Sequence, residues 1–166
     1  MSRYVCSISN VVIGSTPDTF VTMLAIISAD TAGHRARLRR LAVAGSMDAP
    51  VNGNIAVKLN RVSDVSAGGA GTSTAISAAN MAKKDSASLA TVITGGHTFT
   101  VEPTVYDTKP LFEGEFNAIG GKIDEAWSSV DAPTIDRDML LGVLVSPRVS
   151  TVNAAPVTIT LEYEQF

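Results

Sequence analysis

The sequence predicts an all-β protein, a single-domain antiparallel β-sandwich of jelly-roll-like form with long Gly/Ser/Ala-rich loops. Three observations lead there. In the final stretch, APVTITLEYEQF, apolar Val157, Ile159, Leu161 and Tyr163 alternate with polar Thr158, Thr160, Glu162 and Glu164. That is the period of two expected from a strand with one face on a core. Short β-branched runs recur between Gly, Pro, Asn and Ser clusters, the spacing of sandwiches and jelly rolls. No composition boundary or internal repeat divides the 166 residues, a length that suits one ordinary domain. Residues 1–166 are therefore read as one β-rich domain of roughly six to eight strands, with 1–16 an N-terminal arm or an edge strand.

The elements follow in chain order. Arg3 to Ile13 is rich in Val and Ile and reads as an edge-like strand before the Gly14-Ser15-Thr16-Pro17 break. Phe20 to Ser28, FVTMLAIIS, is too short and too β-branched for a comfortable helix and reads as a buried strand. Asn54 to Val62 places Ile55, Val57 and Leu59 on one face and Lys58 and Asn60 on the other. The preceding Asn52-Gly53 is a turn signal, so Arg37 to Ser46 is expected to pair with this strand. Within that segment Ala36 and Leu38 share one strand phase and Leu41 and Val43 the other. Either a bulge near Arg39-Arg40 resets the register, or Leu38, Leu41 and Ala42 line a short helix.

Thr98 to Val105 and Met139 to Val145 complete the strands, the latter with Gly142 marking a bulge or a close backbone contact. Asp64 to Thr74 reads as a loop, and Ser77 to Lys84 as a short helical turn. Phe112 to Trp127 reads as a long crossing loop with short helical or strand pieces, its Gly120-Gly121 pair a tight turn. Trp127, Phe112 and Phe116 form either a satellite core or an aromatic contact patch; the core is favoured because large aromatics are usually at least half buried.

Composition narrows the function classes. Hydrophobic residues make up 45% of the chain and charged residues only 17%, the latter below the roughly 25% of ordinary soluble domains. A surface of Ser, Thr, Ala, Gly and Asn loses little side-chain entropy and little hydration when it docks against another protein. The net charge of −3 runs against nucleic-acid binding, which calls for a positive total. The lone Cys6 has no intramolecular disulfide partner. No run of about 20 apolar residues offers a membrane span, and the N-terminal stretch lacks a signal-peptide pattern. The expectation is a protein made in a cytoplasm and soluble there until it assembles.

Catalytic and metal chemistry are poorly represented. Cys6, His34 and His97 stand apart rather than in a zinc-ligand spacing. Gly120-Gly121-Lys122 lacks the earlier glycine and the following hydroxyl residue of a phosphate loop. Glu113, Glu115, Asp131, Asp136 and Asp138 offer carboxylates for a glycosidase pair, yet a sugar cleft would want more than 5% aromatic residues. The expectation is a non-enzymatic protein with no cofactor and no metal.

The concentrated feature is basic. His34, Arg35, Arg37, Arg39 and Arg40 fall within seven positions of a chain otherwise poor in charge. In a strand, Arg35, Arg37 and Arg39 would project from one face, spaced for salt bridges to carboxylates on a neighbouring subunit. A solvated face and phosphate contacts are the other readings of the same residues. Arg35, Arg37, Arg39 and Arg40, with Tyr4 and Val5 on the N-terminal strand, are the candidate contacts with other subunits or a partner surface.

In order and composition the segments RLRRLAVAG (Arg37 to Gly45), VKLNRVSDVSAGGAGTSTAIS (Val57 to Ser77), DSASLATVITG (Asp85 to Gly95), LLGVLVSP (Leu140 to Pro147) and APVTITLEYEQF resemble small phage proteins that decorate or cement the outside of a head. The chain departs from that pattern in having few bulky aromatics near its glycine-rich loop. The resemblance implies a compact β-sandwich or jelly-roll-like subunit, a homo-oligomer with a trimer favoured, the major capsid protein as partner, and a place on the virion head surface. Two other classes remain open. One is a tail, neck or host-attachment sandwich that binds protein or glycan through Trp127, Tyr106 and Phe112. The other is a small glycan-acting enzyme with a carboxylate pair, which would bury one carboxylate beside an aromatic groove.

Overall fold

The final alternating segment is built into the middle of the molecule. β12 (Pro156–Gln165) is paired on one side with β1 (Ser2–Val12) and on the other with β3 (Ala36–Gly45), both antiparallel. The computed structural model describes residues 2–14, 16–28, 35–47, 49, 52–65, 69–76, 81–83, 93–104, 106–149 and 155–166. Its remaining strands are β2 (Val21–Ser28), β4 (Asn54–Val62), β5 (Thr72–Ile76), β6 (Ala82–Lys83), β7 (Thr94–Val101), β8 (Phe112–Asn117), β9 (Lys122–Ala126), β10 (Thr134–Ile135) and β11 (Met139–Pro147).

The strands form two antiparallel six-stranded sheets. Sheet A runs β10-β3-β12-β1-β6, with β9 also on β3, and sheet B runs β5-β7-β2-β11-β4-β8. The chain is thus all-β and sandwich-like. The inward residues of both sheets form one cluster: Tyr4, Cys6 and Ile8 of β1, Leu38, Leu41 and Val43 of β3, Ile159, Leu161 and Tyr163 of β12, and Leu24, Ile26, Ile55, Val57, Leu59, Leu141 and Val143 opposite them. The Tyr4 and Tyr163 rings stack at 5.5 Å, and the Tyr163 hydroxyl donates to Met81 Sδ at 2.8 Å. Burying such side chains contributes about 1.5–3 kcal/mol each, which is why the alternation of apolar residues fixes register so firmly.

The bulge in the arginine segment is present. Along β12 the partners step from Arg40 opposite Glu162 to Leu38 opposite Tyr163, leaving Arg39 without a partner there. The extra residue lets Leu38 and Leu41 both reach the core despite their opposite phases. The expected hairpin between this segment and Asn54–Val62 does not form: β3 lies in sheet A and β4 in sheet B. Both strands carry a strongly apolar face, and facing each other across the core buries both. The connection from Gly45 to Asn54 is long enough to cross the ~10 Å between stacked sheets.

The segment from Phe112 to Trp127 crosses between sheets as two strands, β8 in sheet B and β9 in sheet A. Its turn closes with Gly121 N–H donating to Asn117 O at 3.0 Å, and Gly120 takes φ +64. Trp127 and Phe112 meet edge to face at 6.4 Å and pack on the main core. The strand expected at Thr98–Val105 is displaced to Thr94–Val101, and the expected loop at Asp64–Thr74 runs into edge strand β5. Of the helical turn expected at Ser77–Lys84, residues 77–80 and 84 lie outside the described set; Ala82–Lys83 is the short strand β6. The N-terminal segment is a strand of sheet A rather than an arm.

Gly45 is where β3 passes the β8–β9 turn most closely. A Cβ there would stand 2.2 Å from Ala118 O, and backbone cannot yield as a side chain can. Gly45→Ala is expected to destabilise the fold by about 1–3 kcal/mol, read as a lower urea midpoint. An unchanged midpoint would show that this crossing is looser than described.

Candidate interaction surface

The two sheets treat their outer faces differently. On sheet B, Tyr106 pairs with Val62, and residues 106–111 continue along the free edge of β4 while the Tyr106 side chain reaches over the outer face to Gly142 and Thr22. Asp107 N–H donates to Arg61 O and Leu111 N–H to Leu59 O, each at 2.8 Å. Asn60 Nδ2 donates to Asp107 O at 3.0 Å. A second apolar cluster of Ala25, Val62 and Leu140, packed by Ile27, Val65, Ala70, Phe99 and Tyr106, lies beneath. Gly142 leaves the room this needs, since a Cβ there would sit 2.6 Å from Tyr106 Oη. That hydroxyl shares a 2.6 Å hydrogen bond with Thr22 Oγ1, and Thr22 N–H donates to the Glu102 carboxylate at 3.1 and 3.0 Å. Burial pushes the Tyr106 phenol up from its ordinary range.

On sheet A the outward positions are bare. Ser7, Ser9 and Thr158 are exposed, and Val5, Ala42, Ala44 and Thr160 are half-exposed. In register, Ser7 faces Thr160 and Ala44 faces Thr158, so small neutral side chains form a level patch across β1, β12 and β3. Val5 belongs to this outer face. Tyr4 does not: it is 2% exposed and held in the core by its stack on Tyr163, so it offers nothing to a partner.

At the other end of this face lie the arginines, of which Arg35 and Arg40 are ion-paired within the chain. Arg35 precedes the strand and pairs with Asp136 at 2.8 Å. The Arg37 guanidinium lies 4.9 Å over the Phe166 ring. Arg40 grips Asp124 with two hydrogen bonds (2.6 and 2.8 Å) and reaches Glu162 at 3.1 Å. The Arg40 hydrogen bond holds Asp124 below the usual carboxylate range. Pairs this exposed are screened by water and salt; they remove net charge from the face rather than anchor the fold. Arg39 differs, having no ion pair or ring contact among the described residues and a buried Nη1 without an acceptor.

A cavity of about 340 Å³ opens on the outer face of sheet B beside edge strand β8. Its floor is Ala56, and its walls are the pairs Lys58–Glu113 (3.0 Å) and Arg148–Glu115 (2.6 Å). Phe20 lines it too, but the Lys58 ammonium covers that ring at 4.4 Å. The aromatics expected to serve a sugar groove are elsewhere: Trp127 and Phe112 pack on the core, and Tyr106 packs on the second apolar cluster. Of the carboxylates expected for an acid–base pair, Glu113, Glu115 and Asp136 form ion pairs with Lys58, Arg148 and Arg35, and Asp138 with Arg137.

Cys6 is buried, and desolvation pushes its thiol up to about 11, which leaves little thiolate at neutral pH. His97 is half-buried, its Nδ1 2.9 Å from Thr98 Oγ1; His34 lies outside the described residues. Among the described residues no group of three His, Cys, Asp or Glu is placed to hold a metal, and no helix is long and apolar enough to cross a membrane. No protein-family model, curated protein or solved structure matches this chain.

Asp107 ties the covering segment to β4. It accepts from Ser63 Oγ at 2.7 Å and from Arg61 Nε at 3.0 Å, and these bonds, the Ser63 one foremost, hold its carboxyl below the ordinary value. A depressed folded pKa contributes stability that is present above the unfolded value near 3.9 and lost as pH falls through the folded one. Asp107→Asn should therefore flatten the loss of stability below about pH 4, measured by urea unfolding across pH. An acid limb identical to that of the parent protein would contradict this role for Asp107.

Proposed function

We propose that this chain is a virion structural protein that binds the outside of a phage head and cements neighbouring major capsid subunits as a symmetric homo-oligomer, a trimer favoured. The single observation that carries the reading is the contrast between the faces: sheet B is roofed by its own chain, while sheet A keeps a level patch of small neutral residues. Such a patch excludes water over a broad area at little cost in side-chain entropy. Several weak contacts held together by symmetry can raise avidity by roughly 100- to 10,000-fold without a deep pocket. The resemblance of the segments supports the same reading, as does the internal pairing of Arg35 and Arg40, which removes two of the charges beside the patch.

The finer fold is part of the proposal. Reduced to β1, β2, β3, β4, β8, β9, β11 and β12, sheet A reads β1-β12-β3-β9 and sheet B β2-β11-β4-β8. That is first-eighth-third-sixth over second-seventh-fourth-fifth, the order of two interlocked Greek keys closing a jelly roll. On this reading β5, β6 and β7 are one insertion that extends both sheets.

Placing charge on the patch tests the function. Ser7→Glu combined with Ala44→Glu should abolish co-sedimentation with phage heads, while thermal unfolding stays close to that of the parent because both side chains point away from the core and neither faces a carboxylate in register. Retention of head binding by a folded double variant would overturn sheet A as the docking face. Light scattering across a dilution series is expected to give a species near three times 17.3 kDa.

A further inference from the structure

Arg39 and Glu125 are the opposite charges left over at one corner of the sandwich. The chain has eight arginines, and apart from Arg39 each meets a carboxylate or an aromatic ring. The Arg39 guanidinium meets neither among the described residues, and its Nη1 is buried with no acceptor. Leaving such a donor unsatisfied is costly, and unusual in a chain whose other arginines all have partners. The half-buried Glu125, on edge strand β9 opposite Leu41, makes no ion pair or side-chain hydrogen bond among the described residues.

The two are near neighbours that do not meet. Trp127 N–H donates to Arg39 O at 3.1 Å, which puts Glu125 diagonally across from Arg39 on the adjoining strand, at a Cα separation of about 7–8 Å. Arg39 is the extra residue of the bulge, beside outward Arg40, whereas Glu125 shares the inward register of Ile123. The bulge thus keeps cation and anion on different sides of one corner.

We propose that this β3–β9 corner faces the rotation axis of a closed homo-oligomer, where Arg39 of each copy binds Glu125 of the next. Rotation about an axis brings the same corner of every copy together, so a cation and an anion side by side pair head to tail around the ring. The accessible part of each Arg39 guanidinium then gains an acceptor and every Glu125 a donor, with no charge left at the axis. The inference rests on the homo-oligomer reading above and specifies its contact.

Light scattering across a dilution series of the full chain tests it, using the parent, Arg39→Glu, Glu125→Arg and the double exchange, with circular dichroism as the check on folding. Each single reversal should raise the apparent dissociation constant at least about tenfold, and the double exchange should recover most of that loss. Arg39→Gln and Glu125→Gln, milder changes at half-buried positions, should weaken assembly in the same direction if a reversal fails to fold. Single variants that assemble like the parent would overturn the contact while leaving the oligomer intact. Arg39 variants that keep their mass but lose head binding would overturn it too, assigning the carboxylate to the shell. A monomeric parent would instead overturn the homo-oligomer reading from which the contact follows.

Discussion

The pairing of β12 between β1 and β3 is the constraint on which the rest of the structure depends. It joins the first and last strands of the sequence in one ladder, and its inward residues Val157, Ile159, Leu161 and Tyr163 are 0–1% exposed. Contacts so distant in sequence require a large loop-closure entropy to be met before they stabilise anything. What offsets that cost is the shared core, since the apolar faces of β1, β3 and β12 have value only when β2, β4 and β11 cover them. The bulge at Arg39 follows from the same constraint: β3 needs one extra residue so that Leu38 and Leu41 can both serve that core.

From this arrangement comes the asymmetry between the faces. Sheet B carries apolar residues on both sides, Leu140 and Val62 outward as well as Leu141 and Leu59 inward, and would be left wet without its covering segment. Asp107, Tyr106 and Glu102 hold that segment down through hydrogen bonds to Arg61, Ser63 and Thr22. Sheet A alternates over most of β1, β3 and β12, and its outward residues there are polar or small. Its outward residues are short at one end and internally paired at the other, a surface with few long side chains to immobilise on contact. The proposed decoration role uses that difference directly, and the proposed Arg39–Glu125 contact uses the corner where the bulge interrupts the alternation.

Much of the fold was legible because its strands carry simple periodicity. The alternation of β12, the apolar triplet of β4 and the phase change at Arg39-Arg40 all announced what the structure contains. Pairing was less legible: the Asn52-Gly53 signal marks a turn, but which strands it joins depends on how two apolar faces stack, a property of no single segment. The partners of the arginines were not legible either. Asp124, Glu162 and Asp136 lie far from Arg35 and Arg40 in sequence, and strand register alone brings them together. Tyr4 was misread as a surface contact because a strand beginning shows its phase only once its neighbours are known. Glu125 could have been noticed as an acidic residue at an inward position of KIDEA, an arrangement that wants a partner.

The measurement that tests the central claim most directly is a cryo-electron microscopy reconstruction of phage heads carrying the bound protein. The outer face of sheet A, with Ser7, Ala42, Ala44, Thr158 and Thr160, is expected to lie against the shell, with the covered face of sheet B pointing away. Density in which the segment over sheet B contacts the shell, or heads that bind no protein at all, would contradict it.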